Sequence, residues 1–531
     1  MKIHCAAVAV AVALASASPF TSAFQPTLPH SSFRHPPHHS VSSTSSPTNI
    51  VTRPFFANHV DIGKSPIHSK IFIASSDAQQ LRAGGPLAAA VNINEAATRE
   101  IQPFEEWSRN CGVGMCDGFA LTTTDGGMDY SAMTNQNVPS GGPILYVPRE
   151  MVLTSVAAEQ EFRAGLADAE RQLSEEGLRE RVSLFRLFVK YVFGCLGCIL
   201  SLLLVLLLLC LPNSFANIIT TVNVLFFAFC VQRILAEYEK GDQSPYFPWL
   251  NSLPRQFYNG VSMTDDCFDC LLPYVSELAR KEREDYVVFT KVLQSIQFLD
   301  SATLLDKELI KWAYNVALTR STLVGTRELR IAPMADYFNH GAETEAEIKH
   351  DQNGNCLVTA TRDIQAGSPV RISLGEPKDP SPLFAKYGFL DETSPATYCK
   401  LLHLKKEMEG LRYEFKDLLF STGGDISPAV YDVILYSVLG QNDPNLQQQF
   451  YQTVISGNEE AKNSFHQQYF SYTLDALKQH VDTTLRSLDE LSRKAQGLDV
   501  RTHPRAPIIL KHNEFVYNTF LRVQSNLNNM G

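Results

Sequence analysis

From Tyr191 to Gln232 the chain carries no charged residue, and Cys198 to Leu211 is almost solid leucine and cysteine. A run of that kind has few fates in water. Tyr191 to Leu211 is long enough for a bilayer-spanning helix, which needs about 20 apolar residues. Pro212-Asn213-Ser214 breaks the run, and Ile218 to Val231 forms a second, shorter apolar stretch. Three readings stay open: a membrane helix at 191–211 that anchors the protein, a very apolar buried helix, or an unspliced intron translated in frame. Cys195 and Cys198 are surrounded by lipid-like side chains and make no credible redox or zinc pair.

The rest of the chain has a different character. Its 531 residues are enough for two to four globular domains, and at 44% hydrophobic it has ample material for a packed core. The net charge is −10, and the first 60 residues hold three basic side chains (Lys2, Arg34, Arg53) and no acid, which leaves −13 on the remainder. So acidic a body gains nothing from releasing counterions of DNA or RNA, and nucleic acid is excluded as a partner. Eleven cysteines in this length do not make a disulfide scaffold. A globular enzyme or binding protein with unusual ends remains.

The N-terminus reads as an address. Lys2 precedes the apolar run Ala6 to Ala15, which gives way to Thr21-Ser22-Ala23, the pattern of a signal peptide over 1–23. Residues 24–90 follow as a transit peptide and linker. Up to about Lys70 they are rich in Ser, Thr, Pro and His, and the first acid is Asp61, so the stretch cannot bury enough apolar surface to fold. The join Ala23-Phe24-Gln25-Pro26 resembles the bipartite presequence of algae with complex plastids, which implies import into such a plastid. Plain secretion or membrane anchoring is the alternative. His30, His35, His38 and His39 lie in this leader and read as solvated side chains.

The densest motif is Arg330-Ile331-Ala332-Pro333-Met334-Ala335-Asp336-Tyr337-Phe338-Asn339-His340. Asp363-Ile364-Gln365-Ala366-Gly367, Val370-Arg371-Ile372-Ser373-Leu374-Gly375 and Tyr387-Gly388-Phe389 follow it. Leu357 to Thr361 and Val370 to Ser373 alternate as short strands, with a turn at 364–367 between them. Asn339-His340-Gly341 reads as a polar turn where backbone could approach a ligand.

In this order the motifs resemble the SET-domain protein lysine methyltransferases, closest to the Rubisco large-subunit methyltransferase-like branch. Phe104-Glu105-Glu106-Trp107, Pro143 to Pro148, Ser244 to Leu250 and Lys311-Trp312-Ala313 lie in register with the same family. The resemblance runs from about Gln102 to the C-terminus and leaves residues 183–221 without a counterpart. It implies an α+β fold: a SET domain over 101–400, made of short strands with an inserted helical region, and a helical substrate-binding lobe over 401–531. It also implies S-adenosylmethionine as cofactor and a protein substrate that presents a lysine.

Carried over by position, Asn339 and His340 would bind the cofactor, His340 through its backbone. Arg320 would pair with the cofactor's carboxylate, and Asp336 would orient the Asn-His segment beside it. Gly126 and Gly127 would belong to the glycine turn that cradles the cofactor. Tyr387 would be the catalytic side chain, lining the lysine channel. No metal ligand set is present: Cys267 and Cys270 form a lone pair where a zinc site needs about four ligands. Two departures from the pattern stand out. Leu374 occupies the position where the family usually carries a tyrosine facing the transferring methyl, and the order of glycines near Gly126 is irregular. A catalytically impaired SET-fold scaffold is therefore the alternative to an enzyme.

Past Leu404 the spacing turns helical. Ser427-Pro428 marks a start before Val430, Val433, Ile434 and Val438. Phe470, Leu474, Leu477, Val481 and Leu488 form a second stripe, and Val516, Phe520 and Val523 a third.

Overall fold

The computed structural model describes residues 90–161 and 227–530, apart from 124, 125, 128, 228, 294–298, 326–327, 376–377 and 399–400. The leader through residue 89 and the apolar run through residue 226 lie outside the described residues. Among those described, no helix is long and apolar enough to cross a membrane. Phe229, Cys230 and Val231, the tail of the second apolar stretch, are helical and buried.

The described chain opens with helix α1 (Ile101–Asn110), which buries Ile101 and Phe104. Short strands follow: β1 (Gly114–Met115), β2 (Phe119–Thr122), β3 (Ser131–Thr134), β4 (Pro143–Val147) and β5 (Leu153–Thr154). Helices α2 (Phe247–Ser252), α3 (Pro273–Leu293) and α4 (Lys307–Arg320) make up the inserted region. Then come β6 (Thr322–Val324), β7 (Glu328–Ile331), β8 (Asn339–His340), β9 (Ala346–His350), β10 (Cys356–Ala360), β11 (Ser368–Pro369) and β12 (Arg371–Ile372). Helix α5 (Ser381–Tyr387) closes this half.

The strands assemble into small sheets rather than one large one. Their orders are β1-β4-β10-β9, β11-β3-β2 and β5-β7-β6, with a separate β12-β8 pair. Strand β10 is the centre of the first sheet because Cys356, Val358 and Ala360 face inward while Leu357 and Thr359 are half-buried, the period of two that a pleated strand requires. The two strands expected around the 364–367 turn exist, but they do not pair with each other. Ile364 bridges to Val138, and the following chain pairs with β3 and then with β8. The stretch read as a strand over Val370 to Ser373 contains β12, and β11 lies just before it.

Asn339-His340-Gly341, expected as a turn, is extended. Its first two residues form β8 and run parallel to β12, with Arg371 opposite Asn339 and Ile372 opposite His340. A two-residue parallel ladder is weak by itself. A buried acid reinforces it: the Glu345 carboxylate accepts from the Arg371 amide (3.0 Å), from its Nε (3.0 Å) and its Nη2 (2.8 Å), and also from Arg362.

The C-terminal half begins with the two-stranded ladder β13 (Ala396–Tyr398) and β14 (Leu419–Ser421). It continues as helices α6 (Pro428–Asn442), α7 (Pro444–Ser456), α8 (Glu459–Gln468), α9 (Phe470–Gln496) and α10 (Ala506–Asn528). Val430, Val433, Ile434, Leu474, Leu477, Val481, Leu488, Val516, Phe520 and Val523 are buried as their spacing predicts. Val438 is only partly buried, and Phe470 is exposed at the start of its helix. Two large hydrophobic cores result among the described residues, with a smaller cluster of Leu435, Leu439 and Phe450 between α6 and α7. One lies among the strands and the inserted helices, the other among α6, α9 and α10. The second core also takes in Cys267, Cys270 and Val275 from the inserted region, together with Phe384 of α5. The helix that ends at Tyr387 is thus packed on the C-terminal helices.

Glu345 supplies a test of the β8–β12 crossing. Burial pushes its pKa up, but the hydrogen bonds from Arg371 and Arg362 outweigh that and hold it below the ordinary carboxylate range. A depressed folded-state pKa means the stabilisation is complete above the unfolded value of about 4.3 and is lost as pH falls through the folded value. Glu345→Gln should therefore cost about 2 kcal/mol at pH 7, with the gap to wild type closing below about pH 4. Urea denaturation at the two pH values checks it.

Candidate functional site

The β8–β12 crossing forms part of the wall of a cavity of about 410 Å3. Arg320 comes to it from the end of α4, Asp336 from the turn after Met334, Asn339 and His340 from β8, Leu374 from just past β12, and Tyr387 from the end of α5. Elements far apart in sequence thus place six of the singled-out residues around one space. Cavities of roughly 300–1,000 Å3 suit a small-molecule ligand.

The turn that delivers Asp336 is strained. Met334, fully buried, holds φ 78° and ψ −45°, the region of a classic γ-turn, which costs a side-chain-bearing residue on the order of 1–3 kcal/mol. The distortion directs Asp336 toward Trp249, whose indole Nε1–H donates to Oδ2 at 3.0 Å. Oδ1 is buried without a hydrogen-bond partner. Burial raises the Asp336 pKa above the ordinary value, against the pull of Arg320 and Trp249. Arg320 donates to the Asp336 carbonyl and lies over the Tyr337 ring, 5.0 Å from its centroid. Among the described residues no other hydrogen bond holds its guanidinium, so most of its donors remain for a ligand.

Asn339 is exposed at the cavity, while the His340 ring turns inward and is fully buried. Its Nδ1 accepts the Leu374 amide hydrogen at 3.0 Å. Burial pushes its pKa down, only partly countered by Asp391, so the ring stays neutral at neutral pH. With the ring engaged inward, what His340 leaves exposed is its backbone. Gly126 and Gly127 do not line the cavity; Asp129 of the same loop does. The Gly127 N–H is donated to Thr123 Oγ1 at 3.0 Å.

A second, larger cavity of about 960 Å3 shares Ser321, Thr322, Ile348, His350, Ile372, Leu374 and Tyr387 with the first. Glu282 and Asp285, one turn apart on α3, and Glu347 on β9 give it an acidic wall, with Lys349 and Lys386 among them. Burial raises the Glu282 pKa. Tyr387 stands where the two spaces meet, and the Lys386 ammonium lies 5.1 Å from its ring centroid.

Two positioning features carried no sequence signal. Buried Asn259 donates Nδ2–H to the Lys386 carbonyl (3.0 Å) and to Asn315 Oδ1 (2.9 Å), fixing the backbone beside Tyr387. Asp391 faces His340. Gly388, by contrast, belongs to a motif evident in the sequence, and the structure supplies its reason. It ends α5 at φ 82°, and a Cβ there would stand 2.5 Å from Asn259 N and from the Tyr258 carbonyl carbon.

No protein-family profile and no curated protein matches the chain. Among solved structures it is similar to the SET domain of LSMT bound to lysine and AdoHcy. The TM-score is 0.50 at 13% identity, covering 82% of this chain and 92% of that one. The fold is that of a SET domain. Rubisco LSMT bound to AdoMet matches over the same shares of both chains at 13% identity, with a TM-score of 0.48. In the SET fold of this chain, a methyl added at Gly388 meets backbone at a position that already holds a positive φ. Gly388→Ala should lower stability by about 2 kcal/mol or more, read as a fall in the urea midpoint at unchanged slope.

Proposed function

We propose that the protein is an S-adenosylmethionine-dependent protein-lysine N-methyltransferase. The observation that carries this reading is the meeting of two cavities at Tyr387, one for each reactant of an in-line transfer. The similar SET domain has lysine and AdoHcy bound, the two ligand classes this reading assigns to the two spaces.

The residues of the smaller cavity fit the cofactor. Arg320 offers uncommitted donors to the carboxylate of an amino-acid cofactor, and Asp336, with its carboxylate buried beside it, holds the segment that leads to Asn339. Asn339 is placed to hydrogen-bond the cofactor from β8, and Phe338, Ile372 and Phe389 give apolar wall. Bound there, S-adenosylmethionine would supply an electrophilic methyl on its sulfonium. The larger cavity receives the substrate lysine from the other side. Its acidic wall attracts the ammonium form, and the Tyr387 ring faces the amine at the junction. The substrate is a protein. The leader supports a plastid stromal one, Rubisco or another abundant protein of that compartment, and membrane association would rest on 191–211.

Leu374 favours a second reading, a SET-fold scaffold with impaired catalysis. It lines both cavities at the point of transfer and offers no hydroxyl there. Calorimetry of S-adenosylmethionine on the full chain separates the outcomes. Wild type should bind, and Asn339→Ala and Arg320→Ala should each weaken binding at least about tenfold, or 1.4 kcal/mol. No binding by the folded wild type would remove the methyltransferase reading. Binding without turnover, with turnover gained in Leu374→Tyr, would establish the scaffold.

A further inference from the structure

His340 and Asp391 form a buried pair that the cofactor and lysine sites do not by themselves require. The His340 side chain is fully buried, the Asp391 side chain is 8% exposed, and Nε2 stands 3.4 Å from Oδ2. The contact is electrostatic, without the alignment of a full hydrogen bond. Because Nδ1 accepts the Leu374 N–H, it carries the lone pair, and the proton of the neutral ring sits on Nε2, toward Asp391. Asp391 is itself held. Its Oδ1 accepts from the Thr393 amide (3.0 Å) and from the Thr393 hydroxyl (2.6 Å), which leaves Oδ2 to face the ring. Phe389 packs on the imidazole, 5.7 Å between centroids, and limits its rotation.

We propose that Asp391 is a positioning residue: acting through His340, it holds the backbone of Leu374 in place where the two cavities meet. The chain Thr393–Asp391–His340–Leu374 joins the segment after Tyr387 to the strand crossing, so both walls of the junction are set by one buried ring. Without the carboxylate, the buried Nε2–H loses the opposite charge it faces, a cost that the ring relieves by turning. The Leu374 amide then loses the only partner it has among the described residues. The consequence for methyl transfer rests on the reading above, whereas the consequence for the Leu374 amide does not.

The test uses the full chain. In wild type, nitrogen-15 NMR of the His340 ring should show a protonated Nε2 and a bare Nδ1. Asp391→Ala should speed hydrogen exchange of the Leu374 amide at least tenfold, leave Val358 in β10 unchanged, and weaken S-adenosylmethionine binding at least tenfold. Asp391→Asn, whose amide oxygen still turns negative charge density toward Nε2–H, should restore most of the Leu374 protection, which a merely space-filling role for Asp391 would not require. A wild-type ring protonated on Nδ1, or Leu374 exchange within twofold of wild type in Asp391→Ala, overturns the proposal. If the alanine variant loses protection at Val358 as well, the wild-type ring spectrum decides alone. If wild type does not bind S-adenosylmethionine while Leu374 responds as stated, the positioning role stands and the methyltransferase reading falls.

Discussion

Two residues of parallel β-structure hold this site together. Where Asn339-His340 lies beside Arg371-Ile372, the chain after Met334 meets the chain after the 364–367 turn, and part of the smaller cavity's wall lies at their join. So short a ladder cannot persist on backbone hydrogen bonds alone, since parallel pairing is weak and needs support from elsewhere. Here the support is charged and buried. Glu345 binds three donors of Arg371, Gly341 donates its amide to the Ile372 carbonyl at 3.1 Å, and the His340 ring ties down Leu374. Removing the Glu345 carboxylate would take the acceptor from three donors of Arg371 at once, which is why one acid bears so much of the local stability.

The second requirement is that Tyr387 sit at the junction, and packing meets it from the opposite direction. Helix α5 contributes Phe384 to the C-terminal core, and Asn259 of the inserted region holds the carbonyl before Tyr387. The glycine after Tyr387 lets two backbone segments come closer than any side chain would allow. The helical lobe is therefore part of what aims the tyrosine, quite apart from any contact it makes with a protein substrate. A change deep in the second core would be felt at the junction through α5.

Much of this could be read from residue order, and the reason is local. The stripes at Val430-Val433-Ile434 and Leu474-Leu477-Val481 are buried because helical spacing alone brings them to one face. The alternation at Cys356 to Ala360 likewise marks an inward-facing strand. Arg320, Asp336, Asn339, His340 and Tyr387 fall in motifs dense enough to be singled out, and they do line one cavity. Asp391 and Asn259 could not be found this way. An isolated acid two residues past a motif, or an asparagine in a loop, has no periodic or compositional signature; its role depends on which distant side chain it meets.

The same division accounts for the misreadings. Asn339-His340-Gly341 has the polarity of a turn, and only pairing with β12 makes it a strand. Gly126 and Gly127 have the flexibility a ligand cradle needs, but only the fold shows that they lie outside the lining of the smaller cavity. By itself the order of residues determined the helices, the inward faces and the chemical types available for a site, because those depend on neighbours a few residues apart. Tertiary structure alone decided which of those residues share a cavity, which proton the buried imidazole keeps, and where Tyr387 stands. Each of these depends on contacts between segments up to hundreds of residues apart, and no local pattern records them.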